Sequence, residues 1–273
     1  MGAAAARRAS TAALYEIVRF AAKEAWACLF GGAMVALLVA THVYWPSASA
    51  LARSDALFLG ALTIQIAMLA LRLETLAEAK VILVYHVIGT VMEVFKTGVG
   101  SWVYVGAAFF HIGGVPLFSG FMYASIGSYI ARCWRLFDFR FTRHPSLRQL
   151  ALLAAAIYAN FYTHHYMIDL RVALFAATAF LFRSTWVHYR IWRTHRRMPL
   201  LAGFMLVAVF IWVAENIGTA TATWIYPHQH AAWSSVRAGK LGSWFLLLIV
   251  SYALVAIVNR PLRTDVDPVR PNP

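Results

Sequence analysis

Apolar residues run through this chain in eight long stretches, separated by short polar segments. The stretches are 25–45, 56–73, 76–97, 114–134, 147–167, 171–192, 200–223 and 241–258. Each approaches the roughly 20 residues needed to cross a hydrocarbon layer as a helix. They lack the two-residue alternation of a membrane barrel. The pattern predicts an all-α polytopic bundle of about eight transmembrane helices. Ahead of it, Leu14, Ile17, Val18 and Phe20 alternate with Arg19, Lys23 and Glu24, which predicts a partly amphipathic lead-in helix over 1–24. Met1 to Ser10 carries two arginines with no apolar core directly after them, so no cleavable signal is expected.

The stretches also repeat. Thr41-His42-Val43-Tyr44 reads like Thr163-His164-His165-Tyr166, and Glu93, Thr97, Trp102 and Tyr104 read like Glu215, Thr219, Trp224 and Tyr226. Both matches share one spacing, 163 − 41 = 122 and 215 − 93 = 122. Gly120 and Gly242 share it too. The expected organisation is two parallel four-helix repeats, 25–146 and 147–260, followed by a tail at 261–273.

Composition agrees with the pattern. Hydrophobic residues make up 61% and charged residues 13% of 273 residues, too apolar for a soluble domain. The net charge of +13 does not point to nucleic acid, because no soluble basic domain carries it. The basic residues gather instead in loops on one side: Arg72 and Lys80, a cluster from Arg132 to Arg148, another from Arg190 to Arg197, and Arg260 with Arg263. The opposite loops hold Arg53, Arg171, Arg237 and Lys240. The positive-inside rule then puts both termini in the cytoplasm, in a bacterial inner membrane. Cys28 and Cys133 are too few and too distant for a disulfide framework or zinc knuckle.

Polar groups at membrane depth are the candidate chemistry. Glu93 and Glu215 sit in apolar surroundings. Burial disfavours a carboxylate's anion, a condition that suits a proton donor; a plain helix-to-helix hydrogen bond is the other reading. His86 lies two turns before Glu93 on the same face and is either a proton relay or a satisfied buried histidine. Lys96 follows Glu93 at ion-pair spacing, while Asn216 stands where the first half has Val94. His42, Tyr44, His111, His164 and His165 lie at helix ends on the same side as Thr219, and Trp102, Tyr104, Trp224 and Tyr226 are either an aromatic belt or a shared pocket wall. Two-fold pseudosymmetry is expected to gather these ends around one outward-facing cavity. No cofactor is expected. A divalent metal on the glutamates and histidines requires tertiary assembly, since no single-helix ligand spacing occurs. Asp138 among Arg135, Arg140 and Arg143 reads as a solvated loop with one ion pair, and Asp169 with Arg171 as a loop pair.

Three strings carry a resemblance. His86 with Glu93-Val-Phe-Lys-Thr-Gly-Val-Gly-Ser-Trp102, Gly113-Gly-Val-Pro-Leu-Phe-Ser-Gly-Phe-Met-Tyr-Ala-Ser125, and Glu215-Asn-Ile-Gly-Thr-Ala-Thr-Ala-Thr-Trp-Ile-Tyr-Pro227 resemble the YoaT-like bacterial membrane family, domain of unknown function eight-hundred-seventeen. That resemblance implies a multi-pass membrane protein and no particular activity. A fainter one, through Glu215, Gly218, Thr219, Thr221 and Tyr226, is to carotenoid hydratases and small-subunit lycopene cyclases, whose Phe-Pro-Phe-Gly segment is absent here. It implies polyene chemistry. The expected function is an acid/base enzyme or binder for a lipophilic, isoprenoid-type molecule, embedded in the lipid bilayer, with Glu93 and Glu215 as the acid/base pair. A proton- or cation-coupled transporter or channel is the alternative, and a non-catalytic scaffold the third.

Overall fold

A computed structural model describes residues 2–46 and 48–261, residues 2–10 by backbone alone. The tail expected at 261–273 lies, beyond Pro261, outside the described residues. The helices follow the apolar stretches: α1 (Gly2–Ala27), α2 (Leu29–Tyr44), α3 (Arg53–Ala70), α4 (Leu76–Gly98), α5 (Phe118–Phe137), α6 (Leu147–Thr163), α7 (Arg171–Phe182), α8 (Leu200–Ala220) and α9 (Gly239–Asn259). All eight predicted segments contain a helix. Short strands punctuate them: β1 (Val103–Tyr104), β2 (His111–Ile112), β3 (Val115–Pro116), β4 (Arg140–Thr142), β5 (Trp186–Arg190), β6 (His195–Pro199) and β7 (Trp224–Ile225).

The protein is a multi-pass membrane protein. By length and composition α3, α4, α8 and α9 are each sufficient to cross a membrane, and α1 from Thr11 with α2, bent by 67° between them, pass that test only together, as a broken span or a re-entrant loop; among the described residues this makes four or five such spans where eight were expected. The sixth predicted segment is shorter than its apolar run. α7 stops at Phe182, and the remainder becomes β5, whose Val187 and His188 are buried. The run is β-branched and aromatic there, and pairing with β4 and β6 satisfies its backbone.

Local chemistry starts the helices. Thr75 with Glu78 and Ser146 with Gln149 form capping boxes that open α4 and α6. Between helices in lipid, close packing substitutes for the hydrophobic effect. The α4–α5 pair shows this best: a Cβ on Gly120 would come within 2.6 Å of the His86 carbonyl oxygen, and one on Gly127 within 2.7 Å of the Tyr85 ring. The Tyr85 hydroxyl in turn donates to the Ser251 carbonyl on α9. At the start of α4, Arg132 and Glu74 pair at 3.7 Å with both side chains fully buried, and Arg135 binds Glu78 at 3.0 Å.

The strands mark two ends of the bundle. β4, β5 and β6 form an antiparallel sheet beside the α5 C-terminus and the α8 N-terminus. Asp138 there is shared by Arg140 at 3.6 Å, Arg190 at 3.2 Å and His195 at 3.4 Å, a wider network than the single loop pair expected. α1 docks on this end: Lys23 donates to the Leu136 and Arg190 carbonyls at 2.6 and 2.7 Å, and Arg19 to that of Ile191 at 3.0 Å. At the other end β1 pairs antiparallel with β7, Val103 opposite Ile225 and Tyr104 opposite Trp224. Arg53 ties that end together. Its guanidinium donates to the Thr41 hydroxyl and Leu38 carbonyl of α2 and to the Thr221 carbonyl and Thr223 hydroxyl after α8. The Asp55 carboxylate accepts from the Phe109 and Phe110 amides at 2.9 Å and pins the loop before β2.

A candidate carboxylate cavity

Two helices end in the same way. After α4, Gly100 turns left-handed at φ +73°, and the Gly100 and Ser101 amides bond back to Thr97 and Lys96. After α8, Ala222 turns left-handed at φ +50°, and the Ala222 and Thr223 amides bond back to Thr219 and Gly218. Both are Schellman caps, which close the last helical turn and reverse the chain. The reversal folds β1 and β7 back beside the glutamate of the helix each follows. Every matched position differs by 122, and so does one of the two residue pairs of the β1–β7 ladder, Val103 with Ile225 (225 − 103).

The folded-back aromatics supply donors. Glu93 Oε2 accepts from the Trp102 indole N–H and the Tyr104 hydroxyl, each at 2.8 Å, and Oε1 accepts from the Tyr123 hydroxyl at 2.6 Å. Glu215 accepts from the Tyr226 hydroxyl and the Trp244 indole N–H. Both glutamates are buried, with 4% and 5% of their surface exposed. Three neutral donors on one carboxylate replace the water it would otherwise hold. Burial and the adjacent carboxylate push the Tyr104 and Tyr226 hydroxyls well above the usual phenol range, so both stay protonated donors. The rings also meet across the two halves: Trp102 and Tyr226 have centroids 6.0 Å apart, and Tyr123 and Trp244 likewise 6.0 Å. Gly218 makes room for Trp224, since a Cβ there would lie 2.0 Å from the indole.

Glu93 and Glu215 face one cavity of about 900 Å³. Lys240 and Trp244 complete its polar end. From there it passes Ile126, Ile130, Leu247 and Leu248 and reaches Phe137, Phe141, Val187 and Tyr189 near the β4–β5 strands. Its wall is aliphatic and aromatic for most of that length.

The candidate residues divide. Glu93, Trp102, Tyr104, Glu215, Trp224 and Tyr226 line the cavity. Lys96 does not pair with Glu93. It turns to the α6 end, 2.7 Å from His165 Nε2 and 4.0 Å from the Phe161 ring centroid, because Glu93 is already occupied by aromatic donors. His86 packs on Phe121 at 4.5 Å, outside the cavity wall, and its Nδ1 has no hydrogen-bond partner among the described residues. The histidines and tyrosines of the Thr-His-x-Tyr ends stay outside the cavity wall. His42 and Tyr44 are exposed, His111 is exposed in the β2–β3 hairpin, and His164 bonds the Asn160 carbonyl at 2.8 Å. Asn216 and Thr219 hold a loop: Asn216 accepts from the Val236 amide, and Thr219 from the Trp233 indole. Among the described residues no group of three or more His, Cys, Asp or Glu side chains is placed to hold a metal ion.

Tyr123, Trp244 and Lys240 escaped the sequence reading. Tyr123 and Trp244 lie on α5 and α9, some thirty residues beyond the glutamate each serves (123 − 93 and 244 − 215). Their spacing of 121 (244 − 123) misses the repeat by one residue. An allowance for that slip was the available signal.

The family described as "Protein of unknown function (DUF817)" matches residues 16–252. The protein "Uncharacterized protein YoaT" of Bacillus subtilis (strain 168) is 41% identical over 260 residues, covering 93% of this chain and 98% of that protein. Among solved structures, a mycobacterial Insig homolog, MvINS from Mycobacterium vanbaalenii, aligns at 16% identity and a TM-score of 0.47, over 68% of this chain and 97% of that one. A cross-linked trimer of MvINS aligns at 15% identity with the same TM-score and coverage.

Proposed function

The chain belongs to the DUF817 family of proteins of unknown function, and from that premise we propose that it takes up a lipophilic, isoprenoid-type molecule and acts on it with its twin carboxylates. One observation carries the reading: a cavity of about 900 Å³, apolar along most of its wall, has Glu93 and Glu215 together at one end. That volume matches sites for elongated small molecules. Cys28 and Gly32 of the α1–α2 segment and Leu206 and Phe210 of α8 line the cavity and are exposed, which supports entry sideways from lipid. Along the middle of the cavity Glu24, which accepts from the Tyr129 hydroxyl at 3.0 Å, is the one acid in a wall otherwise mostly apolar, which favours this reading over a transporter, whose ions need a continuous polar path.

In the chemical step one carboxyl protonates a C=C or carbonyl of the bound molecule and the other carboxylate takes a proton. Trp102, Tyr104, Trp224 and Tyr226 stabilise the cationic intermediate through their ring faces. The shared helix caps, the shared strand pairing and the paired aromatics support an origin by duplication of a four-helix unit. The concentration of arginine at the β4–β5–β6 end supports placing that end, with both termini, in the cytoplasm of a bacterial inner membrane.

The test is mass spectrometry of molecules co-purified with the full-length protein. A discrete lipophile near one per chain is expected, with Val207→Trp, which fills the cavity, releasing it. Glu93→Gln and Glu215→Gln are expected to keep it bound in an altered, unconverted form. A lipid profile identical to bulk membrane in all four proteins sinks the reading.

A further inference from the structure

Lys240 is the one lysine in the cavity wall, and nothing in the sequence singled it out. It is the second residue of α9 and half-buried. Its ammonium sits 4.8 Å from the Trp102 ring centroid and 4.4 Å from that of Tyr226, so rings from both halves of the protein hold it. Its backbone amide donates to the Arg237 carbonyl at 2.9 Å, while among the described residues its ammonium is given no hydrogen-bond acceptor and no ion pair. The carboxylates of Glu215 and Glu93 act on it at longer range, and Arg171 opposes them. Those carboxylates accept instead from tyrosine and tryptophan. An ammonium held at the polar end of an apolar chamber offers three donors to a molecule that enters it.

The geometry points to Lys240 as the anchor for the ligand's head, and to a lipophile with an uncharged oxygen acceptor, a carbonyl, as the class it takes. This rests on the cavity reading above. An ammonium offers only donors, so the head must accept. With one glutamate protonated and the other ionised, as the chemical step requires, Lys240 balances the charge of the polar end, so an anionic head leaves a net negative charge in a medium that screens charge poorly. A cationic head meets Lys240 itself and must displace the aromatic donors from the glutamates. Lys96 does not alter this balance, because it lies outside the wall against His165, and Arg171 is paired with Asp169. A neutral carbonyl oxygen completes the ammonium without changing the charge of the site. It also leaves the carbonyl oxygen between Lys240 and the protonated glutamate, where a proton transfer would begin.

The experiment presents the full-length purified protein with four probes of equal chain length: a straight-chain alkane, the matching methyl ketone, the matching fatty acid and the matching primary amine. Bound probe is counted by native mass spectrometry. The ketone is expected to bind about ten-fold or more tightly than the alkane, as one charge-assisted hydrogen bond provides, and ahead of the acid and the amine. Lys240→Met is expected to abolish the ketone's advantage. The ranking on the unaltered protein stands without any variant, so misfolding of Lys240→Met does not remove the test. Ketone and alkane binding alike, or the acid or amine ranking first, overturns the assignment of the head while the cavity reading survives. Failure of all four probes, alkane included, overturns the cavity reading and this inference with it.

Discussion

Ala222 is the one left-handed position of the two matched helix caps that lacks glycine; its φ is +50°, while Gly100 at the corresponding place has φ +73°. A Cβ in this conformation costs about 1 kcal/mol, which glycine avoids. Ala222→Gly is therefore expected to raise stability by about that amount, read as a higher thermal midpoint in detergent, and a fall would mean the cap is not as described. The opposite effect is expected at Gly120. A Cβ there meets the His86 backbone carbonyl at 2.6 Å as well as the His86 and Thr90 side chains, so Gly120→Ala must push α4 and α5 apart and is expected to cost roughly 1–3 kcal/mol. An unchanged midpoint would show that the two helices have slack. The glutamates were legible at this scale, since an acid inside an apolar run has few innocent explanations. The destinations of the other polar groups were not. Lys96 stood at ion-pair spacing from Glu93 yet turned to His165, because three aromatic donors, all from outside the helix, had already filled the carboxylate.

The helix ends that shape the site show how element boundaries decide function. β1 and β7 are two residues each, far too short to be found from alternation, yet their pairing brings the aromatics of both halves together. Cysteines placed by Val103→Cys with Ile225→Cys are expected to cross-link under mild oxidation, while Val103→Cys with Val115→Cys is not; absence of the first product would remove the strand pairing and with it the meeting of the two halves. Between α6 and α7, the Arg171 side chain beside Asp169 holds that carboxyl down to about 2, from 3.8. A carboxyl depressed in the folded state stabilises above its unfolded value and loses that contribution as pH falls through the folded one. The loop is thus expected to stay ordered at pH 5 and to loosen between about pH 4 and 2. Asp169→Asn should remove that acid transition as followed by hydrogen exchange. α7 is shorter than its apolar run because the run's last part pairs as β5, a competition between helix and sheet that hydropathy alone does not register.

At the scale of the whole molecule the arrangement is a bundle whose two ends differ in chemistry, arginine-rich strands at one and aromatic-caged carboxylates at the other, joined by a single apolar cavity. The orientation proposed for it makes a direct prediction. A cysteine introduced by Arg193→Cys is expected to react with an impermeant thiol reagent only after the cytoplasmic side is opened, and one introduced by His111→Cys from the outside of intact cells, both in a background lacking Cys28 and Cys133. The reverse labelling would invert the proposed topology. What the chain determined by itself is the number and place of its helical segments, since a helix in lipid must satisfy its own backbone and so announces itself as a long apolar run. It determined also which acids stand in those runs, and the spacing at which its motifs recur. Tertiary structure decided everything that depends on two segments meeting: that the α4 and α8 ends share a cavity while the α2 end stays outside it, that Tyr123 and Trp244 serve the glutamates, and that Lys240 lies caged between Trp102 and Tyr226. Periodicity reports which face of a helix is apolar, but contacts between helices are set by side-chain shape and by which donor reaches an acceptor first, and neither is written in any one segment.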